Sequence, residues 1–175
     1  SANQYLEDAV LNSNHPYHQF SFATINYGKP EQRTVVLRKW CLKRRSIIFH
    51  TDHRSPKVEQ IKNNPQTSIL FYSKKHKLQL RFSSHSHIHH KNRLSNYFFS
   101  KTSDSQRECY KSTYIPSSKM ILDSNYSQGA VYENFAVCVS NFSSMELLYL
   151  NYSGHIRLVY QWDTQGQLNC KKLAV

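Results

Sequence analysis

The sequence predicts a mainly β protein, in which antiparallel strands close fully or partly into a barrel and a few helices are inserted between them. Two observations carry this. Short runs rich in β-branched and aromatic residues are separated by turn-forming groups such as Tyr27-Gly28-Lys29-Pro30 and Asp163-Thr164-Gln165-Gly166. The 12 Tyr and 9 Phe, within a hydrophobic content of 39%, suit half-buried pleated surfaces and exclude a disordered chain. Closure follows from the number of short strands, because an open sheet would leave edges free to pair with other chains. A chain of 175 residues builds one core, so residues 1–175 are read as one domain.

Taken in order, Tyr5, Leu6, Ala9 and Val10 fall on one face of a short helix over Gln4–Asn12, which Asn12-Ser13-Asn14 and His15-Pro16 end. Phe20–Tyr27 reads as a strand, and Tyr27-Gly28-Lys29-Pro30 as a hairpin turn into a second strand over Arg33–Leu42. The basic turn Lys43-Arg44-Arg45 leads to a third strand, Ser46–Thr51. Ser55 as N-cap and Pro56 at the first helical position start a helix that Asn64-Pro65 stops. Thr67–Tyr72 and Leu78–His90 are strands, and Leu94, Tyr97 and Phe98 have helical spacing within Arg93–Ser100. Asp104 caps a further short helix holding Cys109 and Tyr110. The Ser-rich stretch Ser112–Glu133 reads as irregular, and Phe135–Val139, Met145–Tyr152, His155–Trp162 and Leu168–Leu173 as closing strands.

Composition also limits the function classes. No apolar run approaches the ~20 residues of a membrane span, and the N-terminus lacks the order of a signal peptide, which gives the expectation of a cytoplasmic protein without a membrane partner. Cys41, Cys109, Cys138 and Cys170 are far apart and fit reduced thiols. The net charge of +12 attracts anions. Its Lys and Arg are dispersed, however, and no helix-turn-helix, zinc-finger or RNP pattern is present, so nucleic acid is not expected as a partner. His85, His87 and His89 alternate on one strand at spacings of ~7 Å, too wide for all three to hold one metal without a bend, and no metal site is assigned to them.

One stretch points to an anion. Arg33-Thr34-Val35-Val36-Leu37-Arg38 is a strand with a cation at each end, and Ile48-Phe49-His50-Thr51-Asp52 runs toward a helix start carrying Ser55, Pro56 and Lys57. Free N–H groups at that helix start, a lysine, a hydroxyl and an arginine fork together form a phosphate site in outline. With four Gly and no glycine-rich fingerprint, a Rossmann or P-loop site is excluded.

The order R-T-V-V-L-R, F-H-T-D-x-R-S-P-K, an Asn64-Pro65 helix stop and Leu78-Gln79-Leu80-Arg81 resembles the pyridoxamine 5′-phosphate oxidase family from about Phe20 to the C-terminus. The resemblance implies a six-stranded antiparallel split β-barrel that binds FMN and forms a homodimer with the flavin at the subunit interface. It implies that Arg33, Thr51 and Lys57 hold the FMN phosphate, with His50 and Ser55 beside them, and that the backbone of Thr34, Val35, Val36 and Leu37 lies along the flavin. Gln79 matches a residue that reaches the ring system from the partner subunit, and Arg157 matches the arginine near the flavin N1 and O2 edge. A cation there suits the charge that develops on hydride uptake.

Tyr97-Phe98-Phe99-Ser100-Lys101 and Asp104-Ser105-Gln106 are similar to the family segment Y-F-x-S-R-P-x-D-S-Q. The similarity implies that Tyr97, Lys101 and Ser105, with Arg38, hold the phosphate of a small phosphorylated substrate. Arg38 stands where Lys is common and Lys101 where Arg is common, which keeps charge and changes fork geometry. Of the family's R-L-H-D-R motif, His155 and Arg157 remain as catalytic residues, His155 also facing substrate, and Ser153 replaces the first Arg. A flavin-adjacent Trp of the family falls near Leu147 or Leu148.

The implied activity is oxidation of pyridoxamine or pyridoxine 5′-phosphate at the C4′ carbon, with hydride passing to flavin N5 and oxygen reoxidising the flavin. Two alternatives stand beside it: an FMN-dependent oxidoreductase on a different substrate, favoured by Ser153 and the missing Trp, and a non-catalytic protein that binds flavin, haem or a B6 vitamer.

Overall fold

The computed structural model describes residues 1–119 and 131–175. The elements run α1 (Ala2–Leu11), β1 (Gln19–Asn26), β2 (Lys29–Val36), β3 (Lys39–Cys41), β4 (Ser46–Asp52), α2 (Pro56–Asn63), β5 (Gln66–Ser73), β6 (Leu78–His90), α3 (Arg93–Ser100), α4 (Asp104–Glu108), α5 (Val131–Asn134), β7 (Phe135–Tyr149), β8 (Ile156–Trp162) and β9 (Leu168–Leu173). All pairings are antiparallel, in the order β2-β1-β5-β6-β7-β4-β3, with β8 and β9 added beyond β7.

The nine strands make six staves and an extension. Tyr27 (φ 47°) and Gly28 (φ 78°) are both left-handed, the two-residue turn whose twist matches a hairpin, and they set the register Asn26↔Lys29. Pro30 is tolerated because β2 is an edge. The predicted strand over Arg33–Leu42 is divided at Leu37-Arg38. The Leu37 amide donates to the His18 carbonyl on the β1 side, and the next amide, of Arg38, donates to Ile48 of β4, both at 2.8 Å. The chain thereby changes partner within one residue, so β2 and β3 are halves of one stave and the sheet closes as a split barrel.

Two further expectations are corrected. Phe135–Val139 and Met145–Tyr149 belong to the single strand β7, which ends before Leu150–Tyr152, and a register shift after Ser83 leaves Ser143 unpaired against β6. Asp104 does not cap α4. Ser103 does, accepting from the Gln106 amide at 3.3 Å while the Gln106 side chain accepts from the Ser103 amide at 3.1 Å, and Cys109 and Tyr110 lie beyond the helix. The Ser112–Glu133 reading falls partly outside the described residues; 131–134 form α5.

Aromatic side chains fill the barrel. Tyr17, Phe22, Phe49, Phe71, Phe82 and Phe142 are fully buried, each worth roughly 1.5–3 kcal/mol. A polar rung crosses the interior, where Thr67 meets Ser84 (2.8 Å) and Ser86 (2.7 Å), and Ser86 meets Ser140 (2.7 Å). Such hydroxyls are tolerated because each finds a partner. A second apolar layer of Ile48, Phe98, Tyr110, Phe135 and Val137 lies between the outer surface of β4–β7 and α3. The sheet therefore has two chemically distinct faces near β4: Thr51 points inward toward α2, and His50 points outward toward α3.

Among the described residues no helix is long and apolar enough to cross a membrane, and no group of three or more His, Cys, Asp or Glu is arranged to hold a metal. His85 and His87 are exposed on β6, and His89 Nδ1 accepts from Asn92 Nδ2 at 3.2 Å. All four cysteines are free.

Candidate functional site

α2 lies against β1 and β6 and brings its N-terminus over the inward-facing end of β4. Ser55 is the N-cap, yet its side chain makes no capping bond; its hydroxyl instead accepts from Lys57 Nζ, which also donates to Thr51 Oγ1 at 3.1 Å. Ser55 and Thr51 are buried and Lys57 is half-buried. Burial pushes the Lys57 ammonium below its ordinary pKa, and the charge of Arg33 pushes the same way.

Arg33 enters from β2, where it is paired with Phe22 and so projects to the inner side. Its Nη1 donates to Thr24 Oγ1 at 2.6 Å, and its Nη2 to Gln60 Oε1 at 3.1 Å and Glu31 Oε2 at 3.3 Å. Gln60, one turn along α2 from Lys57, also accepts from Thr24 (2.7 Å) and donates to Glu31 (2.8 Å). The result is a cradle of two desolvated cations and two hydroxyls at a helix start, a donor set that fits a phosphate group. Arg54 adds no free charge, since Asp52 takes its Nε (3.0 Å) and Nη2 (2.7 Å). Thr24, Glu31 and Gln60 were missed from sequence; the i, i+3 spacing of Lys57 and Gln60 was the available signal.

The predicted substrate residues converge on the other face. A cleft of about 400 Å³ is lined by Arg38, Lys39, His50, Tyr97, Lys101 and Gln106, with Phe98 and Val10 at its floor and edge. Among the described residues no carboxylate lines it. His50 belongs here and its ring is not brought to the cradle, because alternate residues of β4 face opposite sides. The ring packs edge-on against Phe98 and Phe135; burial, then the charge of Arg38, lowers its pKa to about 3, so it is neutral, and its Nε2 is buried without a partner. Ser105 does not reach the cleft. Its hydroxyl meets that of Ser103 at 2.9 Å, and Gln106 stands in its place.

Gln79 and Arg157 form a third group, while His155 lies in the loop just before β8, beside Asn151, Tyr152 and Lys77. Register runs Gln79↔Leu148↔Arg157 across β6, β7 and β8, which puts these side chains on one outer face and identifies Leu148, not Leu147, as the residue between them. The same face carries Thr34, Ser21, Leu70, Arg81 and Glu146. Glu146 accepts from Arg81 at 2.7 Å and from Arg157 at 2.9 Å. The Asn151 backbone amide donates to His155 Nδ1 at 3.2 Å, so Nδ1 acts as the acceptor there. Arg33 and Gln79 occupy opposite faces of the sheet, so one protomer does not unite the cradle with the Gln79–Arg157 group.

Comparison with known proteins agrees with this architecture. Residues 2–90, just over half of the chain, match the family described as pyridoxamine 5′-phosphate oxidase, FMN-binding domain. No curated protein matches. A pyridoxamine 5′-phosphate oxidase-related, FMN-binding protein from Nostoc punctiforme is similar with a TM-score of 0.85 over 99% of this chain and 96% of its own, at 20% identity. PhzG from Burkholderia lata, solved with tetrahydrophenazine-1-carboxylic acid, is similar with a TM-score of 0.77 over 99% and 90%, at 16% identity. General Stress Protein 26 from Bacillus anthracis is similar with a TM-score of 0.54 over 83% and 92%, at 14% identity. At these identities the structures bear on the fold, while the sequence match bears on kinship: the chain belongs to the pyridoxamine 5′-phosphate oxidase FMN-binding family.

Proposed function

We propose that this protein is an FMN-dependent oxidoreductase that works as a homodimer on a small phosphorylated substrate, with a B6 vitamer phosphate as the substrate the cleft chemistry suits best. The observation that carries the reading is the convergence of Arg33, Thr51, Ser55 and Lys57 near the start of α2, which gathers two partly desolvated cations and two hydroxyls in one place. Arg33, Thr51, Ser55 and Lys57 hold the FMN phosphate, and the edge backbone of Thr34, Val35, Val36 and Leu37 offers N–H and C=O groups to the ring system. Bound there, FMN would supply two-electron redox chemistry, acceptance of a hydride and reoxidation by oxygen.

The protein's own residues bind and orient. Arg38 and Lys101 neutralise the substrate phosphate, Tyr97 and Gln106 fix its direction, and Phe98 excludes water behind it. Gln79, His155 and Arg157 act across the subunit interface, a reading supported by the opposite-face placement of Gln79 and Arg33. Arg157 would supply a cation beside the flavin, and His155 would face the substrate ring.

A second reading keeps FMN and changes the substrate. It is favoured by Arg157 being tied to Glu146 and by Ser153, an exposed residue where the family's arginine stands. The visible spectrum of the FMN-loaded protein, recorded anaerobically with pyridoxamine 5′-phosphate and then pyridoxine 5′-phosphate, separates the two. Bleaching restored by air supports the vitamer reading. A bound flavin that stays oxidised moves the protein to the second reading or to a binding role, and absence of flavin binding overturns the cofactor assignment.

A further inference from the structure

The cradle contains an acid. Glu31 lies two residues before Arg33 on β2, on the same inner side, and its Oε2 is 3.3 Å from Arg33 Nη2. It is also held by Asn26 Nδ2 at 2.7 Å on Oε1 and by Gln60 Nε2 at 2.8 Å on Oε2. Asn26 and Gln60 as donors, with the charge of Arg33, keep its carboxyl ionised by holding it below the ordinary carboxylate range. The other nearby acid, Asp52, is neutralised by the two-pronged contact with Arg54, whereas among the described residues Glu31 has Arg33 as its cationic partner. The cradle's formal charge is therefore +1 rather than the +2 that Arg33 and Lys57 supply.

The same bonds fix which donors remain. Arg33 Nη1 is taken by Thr24 and Nη2 by Gln60 and Glu31, so the fork that would grip a phosphate is already occupied from inside the chain. Gln60 links both ends of this arrangement, since it sits between Lys57 and Glu31 on the buried side of α2.

We infer that Glu31 is an internal competitor for the phosphate of FMN: it occupies Arg33 when the cradle is empty and opposes the incoming dianion, setting the flavin affinity below what the cations alone would give. The inference rests on the assignment of the cradle to FMN phosphate. Glu31 acts through Arg33 and is a positioning residue. A dianion about one side chain away from a fixed carboxylate in a solvent-influenced site is disfavoured by roughly tenfold, and the effect requires the ligand's charge.

The test is titration of the full-length apoprotein with FMN and, separately, with riboflavin, which lacks the phosphate, followed by flavin fluorescence for the unaltered protein and Glu31→Gln. Glutamine keeps the acceptor for Asn26 and removes the charge, and a matched thermal melt shows that the fold is kept. The expected result is FMN affinity about tenfold tighter in Glu31→Gln with riboflavin affinity unchanged. FMN affinity that is unchanged or weaker in the variant, or an equal change for riboflavin, overturns the inference while leaving the cradle assignment in place. Failure of both forms to bind FMN overturns the cradle assignment and the inference together.

Discussion

Arg157 Nη2 donates to Glu146 Oε2 at 2.9 Å, and the same oxygen accepts Arg81 Nη2 at 2.7 Å. One carboxylate oxygen thus ties β6 to β8 across β7, on the face that also carries Gln79. Burial raises the Glu146 pKa, but the bonds and charges of Arg157 and Arg81 outweigh it and leave the carboxyl below its ordinary range.

Replacing Glu146 by Gln removes the charge that holds both arginines and leaves Arg157, whose Nε is already buried without a partner, in worse company. The expected loss is about 1–3 kcal/mol of stability, or roughly 2–12 °C in melting temperature for a chain of this size. A thermal melt of Glu146→Gln beside the unaltered protein reads it.

Removing the cradle cations acts on ligand affinity. Arg33→Ala or Lys57→Met weakens FMN binding roughly 10- to 150-fold, each deleting a charge-assisted contact worth about 1.5–3 kcal/mol, and weakens riboflavin far less. Equal weakening for both flavins would contradict the phosphate assignment.

The outer cleft separates from the cradle by the same logic. Arg38→Ala combined with Lys101→Ala raises KM for a phosphorylated substrate roughly tenfold or more with FMN affinity unchanged, because the two side chains line the cleft on the α3 side and touch no cradle residue. Steady-state kinetics on flavin-saturated enzyme, with an unphosphorylated substrate as control, distinguishes this from a general loss of activity.

Stability falls with acid through buried histidines. His50 has a folded pKa of about 3, and His53 and His90, whose rings stack at 3.6 Å, are also lowered, each first by burial. Above the ordinary value of 6.5 both states are neutral and the effect vanishes. Below it the unfolded chain takes up protons that the folded chain refuses, so stability declines from about pH 6.5 down toward pH 3. Denaturant melts at pH 7 and pH 5 show the decline, and His50→Phe, which keeps the ring contacts with Phe98 and Phe135, reduces it.

Much of this was legible before the fold was seen. The faces of α1 and β6, the Tyr27-Gly28 turn and the Ser55-Pro56 helix start are local, set by side-chain period and backbone preference within a few residues. The break at Leu37-Arg38 was not, because an unbroken run from Arg33 to Leu42 has strand character throughout; only the competing partners His18 and Ile48 divide it. Ser143 likewise interrupts the ladder through register with β6, which no local pattern reveals. Arg33 and Lys57 were found because charge at a helix start has a direct chemical meaning. Gln60, Thr24 and Glu31 were not, since an amide, a hydroxyl and an acid acquire their roles only when β1, β2 and α2 bring them together. His50 was grouped with Thr51 as a sequence neighbour, and pleating sent it to the other side.

The change of partner at Leu37 and Arg38 also singles out where the barrel opens. Two adjacent amides, one bonded to the His18 carbonyl and the other to Ile48, join segments that no other ladder connects directly. Separating β2 from the β4 side breaks the second bond while leaving the β1–β2 hairpin whole, so solvent exchange at the Arg38 amide times the opening of the seam, and exchange at Leu37 times the detachment of the hairpin end. Arg33, on β2, and Arg38, at the change of partner, stand on either side of that seam.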